Sequence, residues 1–195
     1  MKASLINDSR HLEKLREQTR SGGQVKYLFF WGHTPTQPDV VCKACFSQWY
    51  PAPFELDGHI YRTAEHYMMA AKALLFGDLA CRERILKAVH PGEAKRLGRQ
   101  VRGYVESTWE AHRFQIVCSA NLAKFSQRDR MSGFLLSTGS RVLVEASPVD
   151  SIWGIGLAAD HPNASRPTQW PGLNLLGIAL MEVRQQIALR KAISN

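Results

Sequence analysis

The sequence predicts a single α+β domain, rich in helix, with a small antiparallel sheet. Three observations carry that expectation. The stretch Thr63 to Phe76 is a bounded helix: Thr63 is a good N-cap, residues 65–74 hold no Gly, Pro or β-branched side chain, and Gly77 follows as a C-cap glycine. Asp57-Gly58, between Phe54–Leu56 and His59–Tyr61, is a two-residue signal for a type I′ hairpin. Finally, 195 residues with 45% hydrophobic content suffice for one core, and no Pro/Ser/Gly-rich linker divides them. Repeats and low-complexity tracts are absent.

Residues 1–24 are polar, with a short helical pattern from Asp8 to Thr19, and end in Ser21-Gly22-Gly23. They are expected to form an N-terminal extension, packed loosely or disordered, ahead of a domain spanning 25–195. Val25 to Trp31 is β-branched and aromatic and reads as a strand; Gly32 to Asp39, with Pro35 and Pro38, reads as a loop, and Val40 to Phe46 as a second strand. The hairpin then hands the chain to the Thr63 helix. Glu65 thus falls in the first helical turn, where the helix dipole favours an ionised carboxylate. Asp78 caps a further helix to about Val89, and Pro91 opens another to about Val101. Ser107-Thr108-Trp109-Glu110 is a capping box that makes Ser107 the N-cap of a helix to about Lys124. Asp129 to Leu136 is a short helix stopped by Thr138-Gly139, and Arg141 to Ala146 is a strand. Pro148 to Gly156 is turn-rich, with an acid and a large aromatic, a composition typical of functional loops. Asn174 caps the last helix, whose apolar stripe is Leu176, Ala179, Val183 and Ile187.

The net charge of +8 suits an anionic partner, either nucleic acid or a small phosphate-bearing substrate. The cations are spread along the chain, and no RNA- or DNA-binding module signature accompanies them. No run of about 18 apolar residues exists, so no membrane span or membrane partner is expected. The first residues lack the apolar region of a signal peptide, which points to a cytoplasmic location. Of four cysteines, Cys42 and Cys45 have the spacing of a redox motif or half a zinc site. Cys81 and Cys118 do not supply the other half, and a loop rather than a helix follows Cys45, so ordinary reduced thiols are expected.

Several side chains have both a bland and a chemical reading. Glu65 and Lys72 are seven residues apart on one helix, about 20° apart around the axis and roughly 10 Å along it. They are either a surface ion-pair stripe or the acid and amine of an active-site wall. Lys95, Arg99 and Arg102 form a stripe that is either solvated or neutralises a phosphate. Trp109 either plugs the core or stacks on a flat base, and Asp150 either closes an Asx-turn or works in the loop.

The motifs T-A-E-H-Y-M-M-A-A-K (63–72), H-P-G-E-A-K-R-L-G-R (90–99), S-T-W-E (107–110), N-L-A-K-F (121–125), L-V-E-A-S-P-V-D-S-I-W-G (143–154) and N-L-L-G-I-A-L-M-E-V-R (174–184) occur in that order. Together they resemble the NADAR (YbiA-like) superfamily, over about residues 25–190. The resemblance implies a YbiA-like fold and N-glycosidase activity: hydrolysis of the bond between a ribose C1 and the exocyclic amine of a base. In riboflavin-intermediate N-glycosidases the substrates are phosphoribosylamino-pyrimidines, cleaved to ribose 5-phosphate and the free aminopyrimidine. In other members the bond joins ADP-ribose to guanine in DNA. A non-catalytic nucleotide-binding protein is the remaining alternative. Nucleic acid is a partner only under the alternatives, and no cofactor or metal belongs to the pattern. The family's helix acid falls on Glu65, its helix-start tryptophan on Trp109, its loop aspartate on Asp150, and its lysines on Lys72 and Lys124.

The residue chemistry fits that implication. Trp109, Trp153 or Phe30 offers an aromatic face for a pyrimidine, and Arg99 offers a fork for the phosphate. Glu65 or Asp150 stabilises positive character at C1, and a carboxyl of raised pKa protonates the departing amine. An exocyclic ribosylamine also opens to an imine, onto which a neutral lysine exchanges as a Schiff base. If residues 108–124 are one helix, Trp109 and Lys124 lie about 22 Å apart along it and do not share a ribose. Lys72 is therefore the preferred nucleophile or C1-side cation, with Lys124 its rival.

Overall fold

Residues 3–21, 24–35, 37 and 40–194 are described by the computed structural model. Its first helix, α1 (Ala3–Arg20), exceeds the Asp8–Thr19 pattern and is not loose. Leu12 and Leu15 are buried in an apolar cluster with Val142, Val144 and Ile178, and the Arg16 Nε donates to the Pro167 carbonyl at 3.1 Å. Gly22 and Gly23, and Thr36, Pro38 and Asp39 of the loop expected at 32–39, lie outside the described residues.

Strand β1 (Tyr27–Phe30) runs parallel to a strand far along the chain, β4 (Val142–Glu145), with Tyr27 opposite Val142 and Phe30 opposite Glu145. Among the described residues, antiparallel pairing is confined to the hairpin of β2 (Phe54–Leu56) and β3 (His59–Tyr61). There Asp57 and Gly58 both take positive φ, 51° and 74°, as a type I′ turn requires. A parallel pair needs a long crossover, and the helical middle of the chain provides it. Parallel pairing also makes β1 and β4 end on the same side, so the segments following Phe30 and Glu145 leave the sheet together. Side chains alternate along β4: Leu143 enters the larger core, while Val142 and Val144 enter the cluster beneath α1.

The strand expected at 40–46 does not form. Lys43–Phe46 is a single 3₁₀ turn, closed by the Cys45 N–H on the Cys42 carbonyl at 2.9 Å. The turn buries Ala44, Cys45 and Phe46, and Phe46 meets Phe30 edge-on at 5.4 Å between ring centres. Burial of such side chains outweighs the local β preference of Val40 and Val41.

Helix α2 (Ala64–Leu75) starts where Thr63 accepts the His66 N–H, and it is followed by Gly77 at φ 71°. Next come α3 (Leu79–Lys87), capped by Asp78, and α4 (Pro91–Gly98). They are followed by α5 (Glu106–Ser126), α6 (Asp129–Ser137) and α7 (Leu175–Ser194). Helix α2 packs on α3, α4 and α5; α5 lies along α7, and α7 covers β4. The predicted stripe Leu176, Ala179, Val183 and Ile187 is buried throughout.

Two caps differ from expectation. Helix α5 begins at Glu106 with Val105 as N-cap, so Ser107 lies inside the first turn and caps nothing. Asn174 sits at φ 56° at the start of α7, its carbonyl accepting the Ile178 N–H at 3.0 Å, but its side chain bonds the strand and not the helix. Its Oδ1 accepts the Glu145 N–H at 2.9 Å and its Nδ2 donates to the Leu143 carbonyl at 2.9 Å, so it locks the end of β4. No described helix is long and apolar enough to cross a membrane.

Candidate active site

Where β1 and β4 end together, a cavity of about 440 Å3 opens against α2. Glu65, Met68, Met69 and Lys72 come from α2 and make one wall. These are the positions that helical spacing places on one face, so Glu65 and Lys72 face the same space. Lys95 and Arg99 enter from α4 and its C-cap, and Trp109 from the start of α5. Glu145 ends β4, and Asp150 and Trp153 follow from the turn-rich loop. Ser47, Gln48 and Trp49 close the remaining side, and the Glu65 N–H ties that wall to α2 by donating to the Gln48 carbonyl at 3.0 Å.

Glu65 is 3% exposed, and its Oε1 is buried without a hydrogen-bond partner. Burial pushes its pKa up to about 7, outweighing Lys95, the hydrogen bond from the Trp49 side chain and Arg99, while Asp150 adds to the rise. The helix dipole expected to keep Glu65 ionised is therefore opposed by a larger effect, desolvation. Glu145, not singled out in the sequence, is pushed up to about 8 by burial and by Asp150 and Glu65, against Lys95. Its Oε2 is likewise buried and unpartnered. An acid closing the buried run Val142-Leu143-Val144 was its one sequence signal, since a charge in a strand covered on both faces is costly unless used.

Asp150 makes the Asx-turn: its Oδ1 accepts the Ile152 N–H at 2.9 Å and the Trp153 N–H at 2.8 Å. The residue also lines the cavity, so closing the turn does not take it away from the site. Lys72 is half-buried, which lowers its pKa, and its Nζ lies 4.3 Å from the centre of the Tyr104 ring and 5.4 Å from that of Trp109. Tyr104 was also unforeseen. The basic stripe divides: Lys95 and Arg99 line the cavity, whereas Arg102 turns to Asp78, with Nη2 to Oδ1 at 3.0 Å and Nε to Oδ2 at 3.2 Å.

Two expected site residues lie elsewhere. Phe30 is 1% exposed and packs on Phe46, so it offers no face to a ligand; strand alternation turned it inward. Lys124 is fully buried at the far end of the continuous helix α5, outside the cavity lining. Its Nζ donates to the Ser47 carbonyl at 2.9 Å, behind the wall, and burial lowers its pKa to about 8. The four cysteines are free thiols, Cys45 with its pKa pushed up to about 12 by burial, so the CxxC spacing reflects the 3₁₀ turn. Among the described residues no group of three or more His, Cys, Asp or Glu is placed to hold a metal ion. A larger groove of about 560 Å3 lies between α1 and α7. Its Arg184 is already engaged by the Thr138 hydroxyl and the Arg141 carbonyl, and it holds no set of acids comparable to that of the smaller cavity.

Fold and site thus define an α+β domain in which one cavity combines acids, amines and indole rings, a set suited to a flat, anionic ligand. The chain belongs to the NADAR domain family, which matches residues 29–188. It is 44% identical over 166 residues to an N-glycosidase of Acanthamoeba polyphaga mimivirus, covering 83% of this chain and 96% of the relative. It is 35% identical over 146 residues to the N-glycosidase YbiA of Escherichia coli (strain K12), covering 75% and 82%. The NMR structure of the E. coli protein YbiA superposes with a TM-score of 0.70 at 31% identity, covering 87% of this chain and 89% of that one.

Proposed function

We propose that the protein is an N-glycosidase that cleaves the bond between a ribose C1 and the exocyclic amine of a base. The preferred substrates are phosphoribosylamino-pyrimidines of early riboflavin synthesis. The observation that carries this reading is the shared cavity of Glu65, Lys72, Asp150, Trp109, Trp153 and Arg99. Its relatives' N-glycosidase names support the reaction class.

In this reading Trp109 and Trp153 hold the heterocycle, and Arg99, with Lys95, receives the 5-phosphate. Glu65, once ionised, faces the positive character that develops at C1, with Asp150 held toward the same space. Lys72 is the nucleophile, because burial favours the neutral amine that attack requires. The ribosylamine opens by breaking C1–O4, with a proton to O4, and gives a C1=N iminium. Lys72 Nζ adds to C1 and loses a proton. The C1–N bond to the pyrimidine then breaks, its electron pair leaving with the nitrogen, which gains a proton. Water hydrolyses the remaining lysine imine, releasing ribose 5-phosphate and restoring the amine.

The test is incubation with a ribosylaminopyrimidine phosphate and, in parallel, with an ADP-ribosylated guanine oligonucleotide. Release of aminopyrimidine and ribose 5-phosphate supports the proposal. Release of ADP-ribose alone moves the substrate to the other branch, and no release from either leaves a binding protein. Full activity in Lys72→Ala ends the nucleophile assignment, whereas borohydride trapping of a sugar on Lys72 supports it.

A further inference from the structure

We infer that Glu145 is the proton donor to the leaving nitrogen, and that it and Glu65 form an unlike carboxyl pair with one role each. The inference rests on the N-glycosidase reading and adds to it the group that makes the amine a competent leaving group. Every route of C1–N cleavage needs that proton, whether C1 is attacked by lysine or by water, because an amide-like anion of the base is a poor leaving group.

The structure separates the two acids by what surrounds them. Glu65 faces Lys95 and Arg99 and receives a hydrogen bond from the Trp49 side chain, three groups that favour its carboxylate against the one acid, Asp150, that opposes it. Glu145 faces Asp150 and Glu65, two further acids, with Lys95 as its cationic neighbour. One oxygen of each, Glu65 Oε1 and Glu145 Oε2, is buried and has no protein partner, while both residues line the cavity. Two carboxyls near one another in a desolvated site do not ionise together, and the one with the more anionic surroundings keeps the proton. That one is Glu145.

The backbone around Glu145 is fixed independently of its side chain. Its N–H donates to Asn174 Oδ1, and its carbonyl accepts the Ile155 N–H at 2.9 Å. The carboxyl is therefore held at the cavity wall without a structural task of its own. In the step, the C1–N bond breaks, its electron pair goes to the nitrogen, and the Glu145 proton moves to that nitrogen. The product is a neutral amine and a Glu145 carboxylate. When water hydrolyses the C1 imine, the proton it sheds returns to Glu145, and the pair is reset.

The experiment compares wild type and Glu145→Gln on two substrates: the ribosylaminopyrimidine phosphate and a 4-nitroaniline ribosylamine 5-phosphate, whose electron-poor amine departs with less help from a proton donor. The expected result is a kcat loss of about 100-fold or more on the first and under about tenfold on the second. Wild type should also lose activity on the first substrate as pH rises past about 8, a limb that Glu145→Gln lacks. Glu145→Ala carries the same comparison should the buried amide disturb the loop. Equal losses on both substrates, or no loss, overturn the proton-donor role while leaving the N-glycosidase reading intact. A wild type that cleaves neither overturns that reading itself.

Discussion

Replacing Glu65 by Gln should make the protein's stability less sensitive to rising pH while impairing it as a catalyst. The carboxyl is buried, and its pKa rises from 4.5 to about 7 on folding. At roughly 1.4 kcal/mol per unit, that rise corresponds to about 3 kcal/mol. The sign follows from proton uptake. Below pH 4.5 the group is protonated both in the folded and in the unfolded chain, and its favourable contribution is complete. Between 4.5 and 7 the unfolded chain releases the proton while the folded chain retains it, so stability declines with rising pH. Above 7 the contribution is gone. Gln has no proton to lose, so its offset from wild type, whatever the cost of burying the amide, moves in the variant's favour by about 3 kcal/mol between pH 5 and pH 8.5. Urea unfolding of both proteins at those two pH values measures the change. An offset that stays constant with pH would refute the claim that Glu65 is a desolvated carboxyl of raised pKa.

Lys124→Met should keep kcat within about tenfold of wild type, because the amine lies behind the Ser47 carbonyl and outside the cavity. A loss beyond 100-fold with an unchanged melting temperature would return Lys124 to the chemistry. Asn174→Ala leaves the Glu145 N–H and the Leu143 carbonyl unpaired and puts Ala at φ 56°, so a loss of about 3 kcal/mol is expected in urea. Gly98→Ala would place a Cβ 2.0 Å from the Met69 Sδ and 3.1 Å from its Cβ, driving Met69 into the cavity. KM should rise and stability fall by about 1–3 kcal/mol, both visible in steady-state kinetics and thermal melts.

What the sequence made legible was local. Thr63, Gly77 and Asp57-Gly58 mark their elements by backbone chemistry that no distant contact overrides, and α2 and the hairpin fall where those residues put them. The face shared by Glu65 and Lys72 follows from helical period alone. Pairing of β1 with β4 is different, because nothing at Tyr27 announces Val142 as its neighbour. Ser107 satisfies the capping-box pattern from inside the first turn, and Asn174 spends its amide on β4 instead of α7. Phe30 and Lys124 were misplaced because residue type suggests what a side chain can do, whereas direction depends on which way strand and helix are turned against the core. Glu145 was overlooked for the same reason: its meaning depends on Glu65 and Asp150, which only the folded chain brings beside it.

The most direct test is a structure of the Glu65→Gln protein with the ribosylaminopyrimidine phosphate bound. The ribose C1 should lie about 3–3.5 Å from the Lys72 Nζ and beside residue 65, with the base against Trp109 or Trp153 and the phosphate at Arg99. A ligand seated in the groove between α1 and α7, or bound in the cavity with its sugar turned away from Lys72, would contradict the account.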